Sequence, residues 1–206
     1  MWSITQSRSS ALEDGGTNVS FIRDVLLRDA APEDAAAIAA IGMEVVPAQY
    51  AGLIDPAVVD AAVSQTYTPS AIAECIERCR GAEDASFLVA EQSHEVAGFL
   101  HFDAFGPEPE LHRLYLGRRR RGAGIGSLLM DELHERVPAD LAYMLLVVAG
   151  NDGAVRFYQR HGLHVERAVD GLEYYSERMG VVFPAEAPPV RMILMRRGVS
   201  ADEGGA

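Results

Sequence analysis

The sequence predicts a mixed α/β fold, in which a mostly antiparallel sheet of six to seven strands carries helices on both faces. Three observations predict it: helical patterns come first, strand patterns then follow one another, and strand and helix patterns alternate towards the end. With 206 residues, 49% of them hydrophobic, the chain has the size of one domain. We therefore expect one domain at residues 23–197, between disordered tails at residues 1–22 and 198–206.

The elements before residue 81 are one short strand and a series of helices. Apolar residues predict an edge strand at residues 24–29. A helix begins at Ala31-Pro32-Glu33-Asp34, because proline and acids suit a first turn, and we expect Pro47 to end or kink it. A second helical region covers residues 48–80 and restarts at Pro69; we interpret it as a lid.

The later elements are strands joined first by turns and then by helices. Strand patterns cover residues 86–92, 95–105, 111–116, 141–148, 163–169 and 190–195. The length and composition around Ser93-His94 predict a hairpin. Helices are predicted at residues 124–137, closed by Pro138, and at residues 151–161, closed by Gly162. The long connection at residues 170–189 has no predicted element, which is typical of functional or disordered segments.

Charge and cysteine content exclude several classes of function. A net charge of -12 opposes binding to nucleic acid or to a membrane surface and favours cationic substrates such as amines. The two cysteines, Cys75 and Cys79, lie one helical turn apart without a histidine at metal spacing, so we expect buried thiols and no metal. Because no signal peptide or membrane span is apparent, we expect a cytoplasmic protein.

The strongest motif stands at the start of the predicted helix 124–137, directly after a strand. It reads Arg118-Arg119-Arg120-Arg121-Gly122-Ala123-Gly124-Ile125-Gly126-Ser127. Unobstructed backbone N–H groups at a helix N-terminus favour an anion, and the arginines and the Ser127 hydroxyl add to this. A plain tight turn beside a solvated charged face is the alternative. The glycine spacing of a dinucleotide fold and the lysine of a P-loop are both missing, which excludes those two readings.

Three spaced motifs together carry a family resemblance. Leu114-Tyr115-Leu116 precedes Arg121-x-x-Gly124-x-Gly126, and Asn151-x-x-Ala154-x-x-Phe157-Tyr158 with Gly162-Leu163 follows. This pattern resembles the GNAT superfamily of N-acetyltransferases over roughly residues 86–195. The resemblance implies a sheet that splays apart at the coenzyme site, and acetyl-CoA as cosubstrate.

The resemblance also implies roles for individual residues. The pantetheine arm of CoA would pair with the backbone of Leu114, Tyr115 and Leu116, and the pyrophosphate would rest on the glycine loop. The implied loop contacts are Arg121, Gly122, Ala123, Gly124, Ile125, Gly126 and Ser127. Asn151 would contact the pantetheine or cap the helix that it begins, and one side chain can do both. Tyr158 would lie near the sulfur and protonate the departing thiolate, whereas packing in the core is its alternative role.

The general base has two candidates on one strand. Glu110 occupies a position where some family members carry a carboxylate base, and its alternative role is that of an exposed strand residue. His112 lies two residues on and so shares a strand face with Glu110, and one of them could orient or replace the other. A water relay is a third possibility.

The expected acceptor is the primary amine of a small cationic metabolite or drug; a polyamine, an aminoglycoside-like drug, an amino acid and a protein N-terminus all remain open. Carboxylates and tyrosines suit such a cation, and we expect some of them to line its site. The candidate lining residues are Glu44, Asp55, Asp103, Glu173, Tyr174 and Tyr175. A catalytically silent CoA-binding module and a purely structural domain are the rival functions, and a homodimer is possible.

Overall fold

A computed structural model describes residues 24–120 and 122–198, and it confirms the mixed α/β fold. The predicted tail at residues 1–22, the tail beyond Gly198 and Arg121 lie outside the described residues. Within the described ranges, no helix is both long enough and apolar enough to span a membrane.

Seven strands form one sheet in this part of the chain. They are β1 (Val25–Asp29), β2 (Ala85–Gln92), β3 (Glu95–Asp103), β4 (Glu110–Leu116), β5 (Tyr143–Val148), β6 (Leu163–Asp170) and β7 (Arg191–Arg197). Their order across the sheet is β1-β2-β3-β4-β5-β7-β6. Neighbours are antiparallel except β4 and β5, which are parallel. The predicted hairpin joins β2 to β3, and Ser93 and His94 both have positive φ angles, as a tight two-residue turn requires.

Helices cover both faces of the sheet, as predicted. They are α1 (Ala35–Tyr50), α2 (Pro56–Thr66), α3 (Pro69–Cys79), α4 (Ile125–Arg136), α5 (Asp152–Arg160) and α6 (Gly171–Met179). On one face α1 to α3 enclose a core with Phe87, Val89 and Phe99 of the sheet. On the other face α4 packs on Leu100 and Phe102, and α5 joins this cluster from its edge. Cys75 and Cys79 are buried free thiols, as expected.

Two predicted features differ from the structure. Pro47 does not end α1, which continues to Tyr50, because losing one N–H donor is offset by the burial of Val45 and Val46 on the same helix. The connection at residues 170–189 contains α6. The Asp170 carboxylate caps its first turn by accepting from the N–H groups of Leu172 and Glu173, and Gly180 ends it with a φ of 64°.

The sheet divides between β4 and β5. Their one register pair in the described ladder is Glu110 with Met144, after which the two strands separate. On its other edge β4 remains paired with β3 as far as Leu116. The β4 backbone therefore keeps a free edge along most of its length, facing the gap.

An extra residue in β4 changes which side chains share a face. The register pairs Leu111 with Phe102 and Arg113 with His101, and so steps over His112. Such a β-bulge re-aims the bulged side chain. His112 and Arg113 consequently both line a cavity on the side of α1 and α2, although they are adjacent in sequence.

Candidate active site

The gap between β4 and β5 forms a cleft that gathers most of the predicted site residues. Leu114 and Tyr115 of β4 line one wall, and Leu145 to Val147 of β5 line the other. Asn151 and Tyr158 reach the cleft from α5. Because the β4 edge is unpaired here, an extended ligand has backbone donors and acceptors to bind.

The glycine turn leads into the N-terminus of α4. Gly122 and Gly124 have φ angles of 77° and 79°, a left-handed conformation that favours glycine. The N–H groups of Ile125 and Gly126 have no backbone hydrogen-bond partner among the described residues, so they are open to an anion. Gly126 also serves packing, because a Cβ there would lie 3.4 Å from the Phe157 ring. Ser127 Oγ lies 3.2 Å from His161 Nε2.

The arginines before this turn are partly neutralised by the protein itself. Arg118 lies 3.6 Å from a Glu44 oxygen, and Arg120 lies 3.6 Å from a Glu95 oxygen. All four of these side chains keep substantial exposure, Arg120 least, so the pairs are weak. Two of the arginines before the glycine turn, Arg118 and Arg120, therefore have carboxylate partners within the protein. Their positive charges depend less on an anionic ligand for compensation.

Two residues of α5 reach the cleft. Asn151 caps the helix, since its Oδ1 accepts from the N–H of Ala154 at 3.2 Å, and its side chain still borders the cleft. Tyr158 packs against the core cluster, which is its alternative role, and it also lines the cleft. Burial raises the pKa of Tyr158 well above its ordinary value, and the hydroxyl therefore keeps its proton at neutral pH.

A buried cluster of charged side chains stands beside the cleft on β3 and β4. Glu110 is only 3% exposed, which rules out the solvent-exposed alternative. Its Oε2 accepts from Tyr174 Oη at 2.6 Å and from Arg178 Nε at 3.1 Å. His112 Nδ1 lies 3.4 Å from Glu110 Oε1, and its Nε2 lies 3.1 Å from Asp103 Oδ2. His112 thus lies between two carboxylates. Its contact with Glu110 agrees with the prediction that the two residues share a strand face.

These contacts shift the pKa values of His112 and of the carboxylates in the cluster in opposite directions. Burial alone would lower the pKa of His112, but Asp103 and Glu110 outweigh it and raise that pKa. Burial alone would raise the pKa of Glu110, but His112, Tyr174 and Arg178 lower it. For His101, burial prevails and lowers the pKa to about 3. Positive charge therefore concentrates on His112 and negative charge on its two carboxylates.

His101, Asp103 and His112 have donor atoms within 4.8 Å of one another, a spacing that also occurs in metal sites. Arg113 NH1, however, lies 3.3 Å from His101 Nδ1. A guanidinium can donate only to an unprotonated ring nitrogen, which leaves the hydrogen of neutral His101 on Nε2, towards Asp103. That nitrogen then has no lone pair for a cation, and a network of close charge contacts is the better interpretation.

An apolar cavity adjoins the cleft between α1, α2, α6 and β4. The cavity volume is about 90 Å³. Four tyrosines line it, together with aliphatic side chains: Tyr50, Tyr67, Tyr115 and Tyr175. Tyr50, Tyr115 and Tyr175 also line the cleft, so the two spaces share a wall. Its charged or titratable lining residues, apart from tyrosines, are His112 and Arg113.

Of the six predicted acceptor-site residues, only Tyr175 lines this cavity. Asp55 caps α2, Tyr174 binds Glu110, and Glu44 contacts Arg118 at the surface. Asp103 borders a neighbouring polar pocket, and Glu173 lies in the first turn of α6. Among the described residues, no carboxylate side chain lines this cavity, whereas Asp103, Glu74 and Glu77 line the neighbouring polar pocket, and the expectation that carboxylates line the acceptor site stays a prediction. Sequence reasoning missed Arg113, because an arginine next to a histidine in a strand gives no sign of its burial.

Comparison with known proteins gives a consistent result. The sequence matches the family model described as the acetyltransferase (GNAT) family over residues 56–163, just over half of the chain. No curated protein matches the chain.

Several solved structures share the fold at low sequence identity. The PaiA N-acetyltransferase of Thermoplasma acidophilum, solved in complex with coenzyme A, is 21% identical over 85% of this chain and 99% of its own, with a TM-score of 0.69. A GNAT acetyltransferase of Streptococcus pneumoniae is 21% identical over 85% of this chain and 100% of its own, with a TM-score of 0.62. An N-acetyltransferase of Staphylococcus aureus Mu50 is 19% identical over 86% and 99%, with a TM-score of 0.59.

Proposed function

The chain belongs to the GNAT family of acetyltransferases, and we propose that it transfers an acetyl group from acetyl-CoA to the primary amine of a small molecule within a ternary complex. The observation that carries the proposal is the cleft between β4 and β5. Its wall residue Leu114 lies 3.7 Å from where a Cβ of Gly126, in the first turn of α4, would stand, and His112 also lines the cleft. The coenzyme A bound to the Thermoplasma acidophilum relative of the same fold supports this choice of cosubstrate.

The cleft has groups suited to each part of the coenzyme. Leu114, Tyr115 and Leu116 would pair through their free backbone edge with the pantetheine arm. The N–H groups from Gly122 to Ser127 would bind the pyrophosphate, helped by the dipole of α4. Arg121 adjoins them in sequence and would add its charge. Asn151 would contact the pantetheine with the part of its side chain not used in capping.

Gly124→Ala is expected to weaken CoA binding about tenfold. A φ of 79° strains any residue with a Cβ, and the strain would shift the N–H groups that follow. The dissociation constant can be measured by titration calorimetry. Gly81→Ala is the matched control, because Gly81 has a φ of 75° and lies in the turn after α3. Equal effects on CoA binding in both variants would contradict a phosphate-binding role for the α4 turn.

The chemistry is direct attack. The neutral amine nitrogen bonds to the thioester carbonyl carbon while a backbone N–H of Leu114 to Leu116 polarises its oxygen. When the carbon–sulfur bond breaks, Tyr158 gives its proton to the thiolate, and the second proton of the attacking nitrogen returns to Tyr158, directly or through water, as the amide forms. The proton lost by the ammonium passes, directly or through water, to His112.

His112 is the better proton acceptor, and Glu110 acts with it. His112 lines both the cavity and the cleft, whereas both Glu110 oxygens are engaged inside the cluster. The raised pKa of His112 makes its neutral form a stronger base than an ordinary histidine. In this arrangement Glu110 orients the ring and stabilises the imidazolium that forms, so the two residues share the role predicted for Glu110.

Glu110→Gln is expected to move the acid limb of kcat/KM to lower pH. Activity requires neutral His112 and therefore rises as pH passes through its raised pKa; removal of the Glu110 charge lowers that pKa. The measurement is a pH profile of thiol release. Glu108→Gln is the control, because Glu108 pairs with Arg196 instead. An unmoved acid limb would show that Glu110 does not act on the base.

The proposed function is tested by thiol release from acetyl-CoA in the presence of a panel of primary amines. Release that depends on an amine, with an acetylated product of the expected mass, supports an N-acetyltransferase. CoA binding without release for any amine would instead support a silent binding module. Absence of CoA binding would contradict both.

A further inference from the structure

Arg113 is a buried cation without a carboxylate partner. Its side chain belongs to a residue only 5% exposed. NH1 lies 3.3 Å from His101 Nδ1 and 3.7 Å from Cys75 Sγ, and NH2 lies 3.4 Å from the Thr66 carbonyl oxygen. The guanidinium carbon also stands 5.2 Å from the centre of the Tyr67 ring. Burial lowers the pKa of His101 and raises the pKa of Tyr67, so both are neutral, and none of the carboxylates in residues 24–120 and 122–198 comes within ion-pair distance of Arg113.

This arrangement is costly for a residue with a structural role alone. A guanidinium does not lose its charge on burial, and an uncompensated buried charge destabilises a fold strongly. The three hydrogen-bond distances are long, so the protein compensates the charge weakly. Elsewhere on the same face the protein does provide partners, since Arg178 binds Glu110 at 3.1 Å. A ligand that brings a negative charge would complete the site of Arg113.

The position of Arg113 indicates the chemical class of an anionic ligand that could bind to it. The side chain lines the apolar cavity that adjoins the acetyl-transfer cleft. Apart from His112 and Thr66, the rest of the lining is tyrosine or apolar, which suits an apolar body. His112, the proposed proton acceptor, lines the same cavity because the bulge places it beside Arg113.

We propose that the acceptor is an amine that carries a carboxylate close to its amino group, on an apolar or aromatic body, as an apolar α-amino acid does. The inference rests on the proposed function and names the substrate class of the same site. Arg113 binds the carboxylate, His112 takes the proton of the neighbouring ammonium, and the tyrosine-lined cavity holds the side chain. A planar guanidinium matches a carboxylate with two parallel hydrogen bonds, which lysine cannot reproduce.

The test compares amines that differ only in the carboxylate. Thiol release from acetyl-CoA is measured with L-phenylalanine, L-leucine and L-methionine, each against its decarboxylated amine and its amide, and with spermidine. Rates are corrected for the fraction of free amine at the assay pH. We expect kcat/KM for the best amino acid to exceed that of its two analogues by about 100-fold, because the analogues leave Arg113 unpaired in the cavity.

Substitution of Arg113 tests whether this residue causes the preference for amines that carry a carboxylate. In Arg113→Met, the ratio of kcat/KM for the amino acid to kcat/KM for its decarboxylated amine is expected to fall towards one. In Arg113→Lys, this ratio is expected to fall only in part. Arg78→Met is the control, because Arg78 borders the polar pocket but not the apolar cavity, and it should keep the wild-type ratio. Thermal unfolding of each variant shows whether it folds. If Arg113→Met does not fold, the comparison of amines with the wild-type protein tests the inference by itself.

Failure of this inference and failure of the proposed function give different results. Equal or faster thiol release with the decarboxylated amines, the amides or spermidine would overturn the carboxylate requirement and leave the acetyltransferase standing. If no amine causes release, the proposed function fails. Thermal stabilisation of the CoA-loaded protein by the amino acids but not by their decarboxylated amines would then still support the carboxylate site, and equal stabilisation would overturn it.

Discussion

Tyr158→Phe is expected to lower kcat about 100-fold while the dissociation constant for CoA stays within about twofold. Tyr158 lines the cleft from α5, and burial raises its pKa, so its hydroxyl is a protonated donor at neutral pH. Phenylalanine keeps the ring that packs against the core cluster and removes only the proton that the leaving thiolate needs. Steady-state kinetics with acetyl-CoA and titration of CoA separate the two effects.

Tyr143→Phe is the matched control for this measurement. Tyr143 is also a buried tyrosine, but its hydroxyl lies 2.8 Å from His134 Nε2 and does not border the cleft. We expect its kcat to remain within about threefold of the wild-type value, with any loss appearing in thermal stability. A wild-type kcat in Tyr158→Phe would remove the general acid from the mechanism. Equal losses in both variants would point to a structural effect.

His112→Gln is expected to lower kcat/KM about 100-fold or more at neutral pH. Glutamine can still contact Asp103 and Glu110, but it cannot take up the proton of the attacking ammonium. The loss should shrink as the pH rises towards the pKa of the substrate amine, because a growing fraction of the amine then arrives already neutral. A pH profile of kcat/KM from neutral to alkaline pH measures this recovery.

The recovery distinguishes proton transfer from simple damage to the cluster. A structural defect would lower kcat/KM by a similar factor at every pH at which the protein stays folded. His134→Gln is the control, because His134 lies on α4 against Tyr143, away from the cleft, and its profile should keep the wild-type shape. A pH-independent loss in His112→Gln would assign the base to another group or to a water chain.

The sequence predicted the fold well where local signals agree with the tertiary structure. The turn at Ser93-His94, the start of α3 at Pro69 and the cap at Asn151 all lie where the pattern of residue types placed them. The helix α6 was missed, although Asp170 and Gly180 are ordinary capping signals, because length and proline content suggested an irregular segment. Pro47 was expected to end or kink α1 because local propensity does not register the tertiary burial of the helix.

In the candidate site, too, the residues in local motifs could be predicted from the sequence and the others could not. The loop and cleft residues follow from spaced motifs, because a turn and a helix start are local features of the chain. The apolar cavity, which we propose binds the acceptor, does not follow from local motifs, because it is assembled from α1, α2, β4 and α6, which are far apart in the sequence. Net charge was a poor guide to it: the whole chain is acidic, yet the cavity wall bears an unpaired arginine. Charge averaged over a surface says little about a few buried groups.

The bulge in β4 bears on how such an enzyme can acquire or lose its chemistry in evolution. Outside His112 the strand alternates without interruption, with Leu111, Leu114 and Leu116 packed in one core cluster and Arg113 and Tyr115 on the opposite face. Deletion of the single His112 codon would leave a regular strand with the same hydrophobic pattern. The proton acceptor that we propose, His112, can therefore enter or leave this strand by the insertion or deletion of one codon, without any change in the register of its neighbours.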